Sequence, residues 1–98
     1  MNVQLLVGAE RAKALQELNG WREAEGRDAF TKTFQFKSFS HAWSWMSRVA
    51  LYAEKTDHHP EWCNVYGRVE VTLATHTARG VTEKDIALAR KMNDYAGG

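Results

Sequence analysis

Two stretches of the chain alternate with period two. Between Ala29 and Lys37, Phe30, Phe34 and Phe36 share one parity, while Thr31, Thr33, Gln35 and Lys37 share the other. This predicts a half-buried strand with Lys32 as the one charge on its apolar side. From Arg68 to His76, Val69, Val71, Leu73 and Thr75 oppose Arg68, Glu70, Thr72, Ala74 and His76, predicting a cleaner strand. A short strand is expected beside each: Trp21-Arg22-Glu23 ahead of a turn at Glu25-Gly26-Arg27-Asp28, and Asn64-Val65-Tyr66 ahead of a Tyr66-Gly67 turn. Three other stretches carry helical signals. Ala9 to Leu18 consists of good helix formers, with Ala14, Leu15 and Leu18 on one face and Asn19-Gly20 as a stop. His41 to Thr56, with Ser40 as N-cap, places Ala42, Trp43, Trp45, Met46, Val49, Ala50, Tyr52 and Ala53 within an arc of about 180°, leaving Leu51 alone on the polar side. Pro60 disfavours helical geometry at His59 and ends this helix near Asp57 or His58. Thr82-Glu83-Lys84-Asp85 reads as a capping box opening a third helix through Ile86, Ala89, Met92 and Asn93.

The resulting order, α-β-β-α-β-β-α with hairpin-length connections, predicts a two-layer α+β fold: a four-stranded antiparallel sheet with three helices packed on one face. Its length of 98 residues fits a single domain, 1–98, with residues 1–8 as a loose N-terminal segment. The apolar arc of the second helix is wider than one sheet face needs. Its aromatics either flank the core or form a subunit contact, with Trp43, Trp45 and Tyr52 as the candidate interface.

Composition narrows the classes. A content of 44% hydrophobic residues with four Trp is that of a globular domain, and the +1 formal charge argues against direct nucleic-acid binding through a broad basic face. The longest run free of Asp, Glu, Lys and Arg, Ser38 to Ser47, is ten residues, too short to span a membrane. Met1 to Gly8 lacks the basic and apolar regions of a secretory signal. A single cysteine, Cys63, rules out an internal disulfide framework and fits a reduced, cytoplasmic setting.

Candidate chemistry concentrates in Glu54-Lys-Thr-Asp57-His58-His59-Pro60-Glu61-Trp62, joined by His76. Glu54 lies one helical turn before Asp57 and His58, within reach of a neighbouring imidazole. Imidazoles exchange protons near neutral pH, so facing rings suit general acid and base catalysis. The same residues also fit a solvated helix end and an exposed strand face. A zinc site from His58, His59, Cys63 and His76 has poor spacing, without Cys-x-x-Cys or His-x-x-x-His. Cys63, flanked by Trp62 and Asn64, lacks an activating neighbour and reads as a small hydrophobe.

The run Glu54…His58-His59-Pro60-Glu61-Trp62…Tyr66…His76…Asp85 resembles the signature of the pterin-4a-carbinolamine dehydratases. Likeness extends through Gly20-Trp21, Gly26-Arg27-Asp28-Ala29, Phe34-Gln-Phe36-Lys37, Ser47-Arg48-Val49-Ala50-Leu51, Asn64-Val65-Tyr66 and Thr72-Leu73, nearly the whole chain after Ala9. The resemblance implies a hydro-lyase without cofactor or metal that dehydrates 4a-hydroxytetrahydrobiopterin to quinonoid dihydrobiopterin in tetrahydrobiopterin recycling. By position it makes His58 and His76 the acid/base candidates and His59 the residue that binds and orients the pterin. Glu54 and Asp57 then orient and tune the rings, Pro60 sets the turn and Trp62 helps build the pocket. Asp85 matches the family's last acidic residue, and as the third residue after Thr82 it equally reads as a cap. The resemblance also implies dimers whose sheets join, and tetramers packed through the second helix. In animal members that surface binds the dimerisation region of a homeodomain transcription factor, which makes a non-enzymatic dimerisation cofactor or transcriptional coactivator the alternative function and adds a nuclear location in a eukaryote. Two positions depart from the animal pattern: Cys63 stands where Phe is frequent, and Trp43-Ser44-Trp45 replaces Phe-Gly-Phe.

Overall fold

A computed structural model describes residues 4–97. The elements are α1 (Gly8–Glu17), β1 (Arg22–Glu23), β2 (Phe30–Gln35), α2 (Phe39–Thr56), β3 (Glu61–Val65), β4 (Arg68–Leu73) and α3 (Glu83–Tyr95). The sheet is antiparallel throughout in the order β1-β2-β4-β3, as the α+β reading requires. Two hairpins, β1-β2 and β3-β4, meet at a central β2-β4 pairing whose register sets Phe30 opposite Leu73 and Phe34 opposite Val69. That parity is buried beneath the helices, whereas Thr31, Thr33, Cys63, Glu70 and Thr72 occupy the open face, exposed or half-buried.

Lys32 shares the apolar parity yet is accommodated. Its amine lies over the Phe34 ring, with Nζ 4.5 Å from the centroid, and donates to Asn19 O and Asn93 Oδ1, both at 2.8 Å. Burial lowers its pKa, the expected response of an amine held at the rim of a core. Asn93 Oδ1 also accepts from Trp21 Nε1 at 3.1 Å, so one polar knot ties the segment before β1 to β2 and α3. Among the described residues no buried side-chain nitrogen or oxygen lacks a partner.

Local expectations need four corrections. Ser38, and not Ser40, caps α2: its hydroxyl accepts from the His41 N–H at 3.1 Å, and the helix begins at Phe39. Strand β3 starts at Glu61, three residues earlier than expected, because the segment after Pro60 pairs at once with β4 (Glu61 opposite Thr72, Trp62 opposite Val71). His76 lies beyond the end of β4, in a loop closed by a bridge between Thr75 and Gly80. In the N-terminal segment expected to be loose, Leu6 is docked: its side chain is buried and its N–H bonds Val81 O at 2.8 Å. Residues 1–3 of that segment lie outside the described residues.

The second helix shows why a wide apolar arc is ambiguous. Trp45 is only 4% exposed, its ring tilted against Phe34 with centroids 4.5 Å apart and its Nε1 donating to Met92 O at 3.0 Å. It is a core residue, so Trp45 drops out of the candidate interface. Tyr52 is half-buried against the core, under the Lys91 amine. Trp43 alone of the three faces outward, 57% exposed and stacked on exposed Phe39. No helix among the described residues is long and apolar enough to cross a membrane.

Candidate active site

The site is assembled where α2 ends. Asp57 adopts the left-handed conformation (φ 53°, ψ 44°), its N–H bonding Glu54 O and the His58 N–H bonding Ala53 O at 3.0 Å. This Schellman arrangement turns the chain abruptly, a task more often given to glycine. The turn separates the two neighbouring histidines. His58 swings inward, its side chain 11% exposed, while His59 stays at the surface.

Each of the three candidate histidines meets its own carboxylate. His58 Nε2 lies 2.7 Å from Asp85 Oδ1, His59 Nε2 lies 2.8 Å from Glu54 Oε1, and His76 Nε2 lies 3.3 Å from Glu61 Oε2. With Nε2 directed at a carboxylate, Nδ1 is the second proton-carrying position of each ring. Glu54 therefore serves His59 and not His58, because the chain has left the helix before the four-residue spacing can act.

Asp85 both caps α3 and contacts His58. Its Oδ2 accepts from the Thr82 N–H (2.9 Å) and from Thr75 Oγ1 (2.8 Å), completing the capping box of α3, while Oδ1 faces His58. The carboxylate is fully buried, and the N-terminus of α3 favours negative charge there. Thr75 and Thr82 share a further bond of 2.6 Å.

His58, His59 and His76 border one cleft of about 240 Å³ with Thr75, Thr77 and Lys84. Asp57 also lines it, so its contribution is both the backbone turn and a wall. Pro60 occupies the link into β3, and Trp62 lies on the helix-covered face near Trp45, with ring centroids 6.0 Å apart. Neither Pro60 nor Trp62 borders the cleft. Cys63 is exposed on the open face, and no group of three or more His, Cys, Asp or Glu side chains suited to a metal ion occurs among the described residues.

Sequence reasoning missed Thr75, Thr77 and Lys84, and gave no role to Glu61 or Arg27. Glu61 stood inside the quoted motif, but its partners are distant. Arg27 Nη1 and Nη2 donate to its two oxygens at 2.8 and 2.9 Å, across 34 residues. That guanidinium, aided by His76 and opposed by burial, lowers the Glu61 pKa to about 2. The far end of the His76 loop is pinned by Asp28, whose Oδ1 accepts from the Val81 N–H (3.1 Å) and from Arg11 (2.8 Å). A Cβ at Gly80 would lie 2.5 Å from Asp28 Oδ2, so a larger residue at this crossing would displace the carboxylate that pins the loop.

The family model described as pterin 4 alpha carbinolamine dehydratase matches residues 4–95. Proteins of Brucella ovis and Brucella abortus that bear the provisional name pterin-4-alpha-carbinolamine dehydratase are 58% identical over 92 residues, covering 94% of this chain and 95% of theirs. A crystal structure described as the transcriptional coactivator/pterin dehydratase of Brucella melitensis superposes with a TM-score of 0.93 at 57% identity, covering 95% of this chain and 99% of the other. A pterin dehydratase-like protein, described as a RuBisCO assembly factor in the alpha-carboxysome, superposes with a TM-score of 0.70 at 26% identity, covering 82% of this chain and 93% of its own.

Proposed function

Because this chain belongs to the pterin 4 alpha carbinolamine dehydratase family, we propose that it is a hydro-lyase acting on 4a-hydroxytetrahydrobiopterin. The reaction breaks the C4a–oxygen bond, delivers a proton to the departing oxygen to give water, and removes the proton from the adjacent ring nitrogen as a C4a–nitrogen double bond forms. No electrons are exchanged with another molecule, so proton donors and acceptors on the chain suffice. The observation that carries this reading is the convergence of three carboxylate-paired imidazoles on one small cleft.

In this mechanism His58 and His76 form the acid/base pair, one protonating the leaving oxygen while the other takes the ring proton. Either ring is chemically competent for either task. His59, held by Glu54, binds and orients the pterin, and Lys84 adds a cationic donor at the rim. Asp85 keeps the His58 ring in one orientation, as a carboxylate does behind a catalytic imidazole. The product is a quinonoid dihydropterin, which reduction returns to the tetrahydropterin pool.

The decisive assay follows the ultraviolet absorbance of enzymatically generated 4a-hydroxytetrahydropterin with and without the protein, in the presence of chelator. Accelerated decay that survives chelation is expected. Absence of acceleration by folded protein would overturn the hydro-lyase reading.

A second reading is favoured by one surface feature, the stacked and exposed Phe39 and Trp43 on α2. This pair forms a contact in a homodimer or homotetramer, and it is the part of the surface on which a coactivator role, the word attached to the Brucella melitensis relative, would draw. Trp43→Asp is expected to lower the mass measured by sedimentation without unfolding the chain, since Trp43 contributes little to the core. An unchanged mass would remove this face from the assembly.

A further inference from the structure

We propose that Glu61 and Arg27 are positioning residues for His76: an ion pair between the first residue of β3 and the β1-β2 turn aims that imidazole into the cleft. The proposal rests on the dehydratase reading for its kinetic consequence, but its structural content stands separately.

His76 differs from His58 in how it is held. The backbone of its loop is fixed at both ends, through the bonds Thr75 N–H to Gly80 O (2.8 Å) and Val81 N–H to Asp28 Oδ1 (3.1 Å). The side chain is nevertheless 78% exposed, and its described hydrogen bond is to Glu61, at 3.3 Å. An exposed imidazole on a loop otherwise spreads over its rotamers, and that freedom is lost only against a fixed partner. Glu61 is such a partner. It is anchored in the β3-β4 pairing opposite Thr72, and both its oxygens are engaged by the Arg27 fork.

Exposed ion pairs as a rule contribute little, but a bidentate arginine-carboxylate pair between two ordered segments is the exception, because its geometry restricts both side chains. Arg27 also keeps the carboxylate ionised far below neutral pH, so the acceptor facing His76 persists across any range in which an imidazole works. The arrangement parallels Asp85 behind His58, with one difference. The Asp85 clamp is buried and serves the fold, whereas the Glu61 clamp is exposed and can be removed without opening the core.

Glu61→Gln and Arg27→Met are the test variants, with Arg27→Lys as the conservative form. Three-bond couplings of His76 in the unliganded protein report its χ1 rotamer. A single rotamer is expected in the native chain, averaged couplings in Glu61→Gln and Arg27→Met, and partial recovery in Arg27→Lys. In the dehydration assay kcat should fall about tenfold in the first two variants while KM stays within about twofold, the split of a misaimed group and not of lost binding. A His76 rotamer that stays single in both variants overturns the proposal, whereas averaged couplings with an unchanged kcat overturn its kinetic consequence and, with it, the acid/base role of His76. If the native protein itself shows no acceleration, the dehydratase reading fails, and the couplings still decide whether Glu61 orients His76.

Discussion

Asp85→Ala is expected to lower stability by about 3–5 kcal/mol, seen as a drop in Tm of roughly 15–30 °C. The side chain is completely buried and accepts three bonds: from the Thr82 N–H, from Thr75 Oγ1 and from His58 Nε2. Removing it deletes half of the α3 capping box, about 1 kcal/mol on its own, and leaves buried donors unpaired at about 1–3 kcal/mol each. Thr75 recovers part of this because its hydroxyl already meets Thr82 Oγ1. Urea and thermal unfolding measure the loss, and a change below about 1 kcal/mol would show that the network is dispensable. Asp85→Asn separates the cap from the site. An amide that keeps its oxygen toward Thr82 turns its NH2 toward His58, which must then accept at Nε2 and carry its proton on Nδ1. This variant should unfold close to the native temperature, show the tautomer change in ring nitrogen spectra and lose about 10²-fold in rate. A native rate with the tautomer switched would remove His58 from proton transfer.

His58→Ala is expected to slow dehydration by about 10²–10⁴-fold, the range for loss of a general acid or base. The variant also strips Asp85 Oδ1 of its partner, so a weakened fold accompanies it. His58→Gln keeps an N–H donor near Asp85 but cannot exchange a proton at neutral pH. Its rate should fall as far as that of His58→Ala while its Tm stays nearer the native value. Comparable loss in both variants locates the effect in the chemistry, and a Gln variant within about threefold of the native rate would exclude His58 as the acid or base.

The elements with strong local patterns were legible along the chain. The parity of Phe30 and Phe34, the alternation of Val69, Val71 and Leu73, and the Thr82-to-Asp85 box all reappear as written. Ser38 and Ser40 are both acceptable caps two residues apart, and the choice fell to the backbone path out of β2, which carries Phe36 against Gly67 O. Asn64-Val65-Tyr66 carries the local strand signal, whereas pairing with β4 recruits the chain from Glu61 onward, immediately after Pro60. Trp45 sits near the edge of a wide apolar arc, where a core position and an interface position look alike in projection. Phe34, Phe36 and Trp62 surround it from β2, the residue after it and β3, whose positions no helical projection contains.

The candidate site divides along the same line. The three histidines, Glu54, Asp57 and Asp85 were visible as residue types at meaningful spacings, and Glu54 was expected to serve a neighbouring ring. Which carboxylate meets which imidazole was not visible. Glu54 reaches His59 because a left-handed Asp57 ends the helix one residue before His58, and Glu61 meets Arg27 and His76 only after two hairpins pair at β2 and β4. The sequence by itself determined the periodic faces, the Thr82-Asp85 box and the inventory of proton-carrying groups, because these follow from interactions within a few residues. The tertiary structure alone decided the partners of His58 and His76, the burial of Trp45 and the pinning of the His76 loop by Asp28. Those depend on close packing and hydrogen-bond satisfaction between segments 15 to 53 residues apart, which only the folded sheet brings to contact distance.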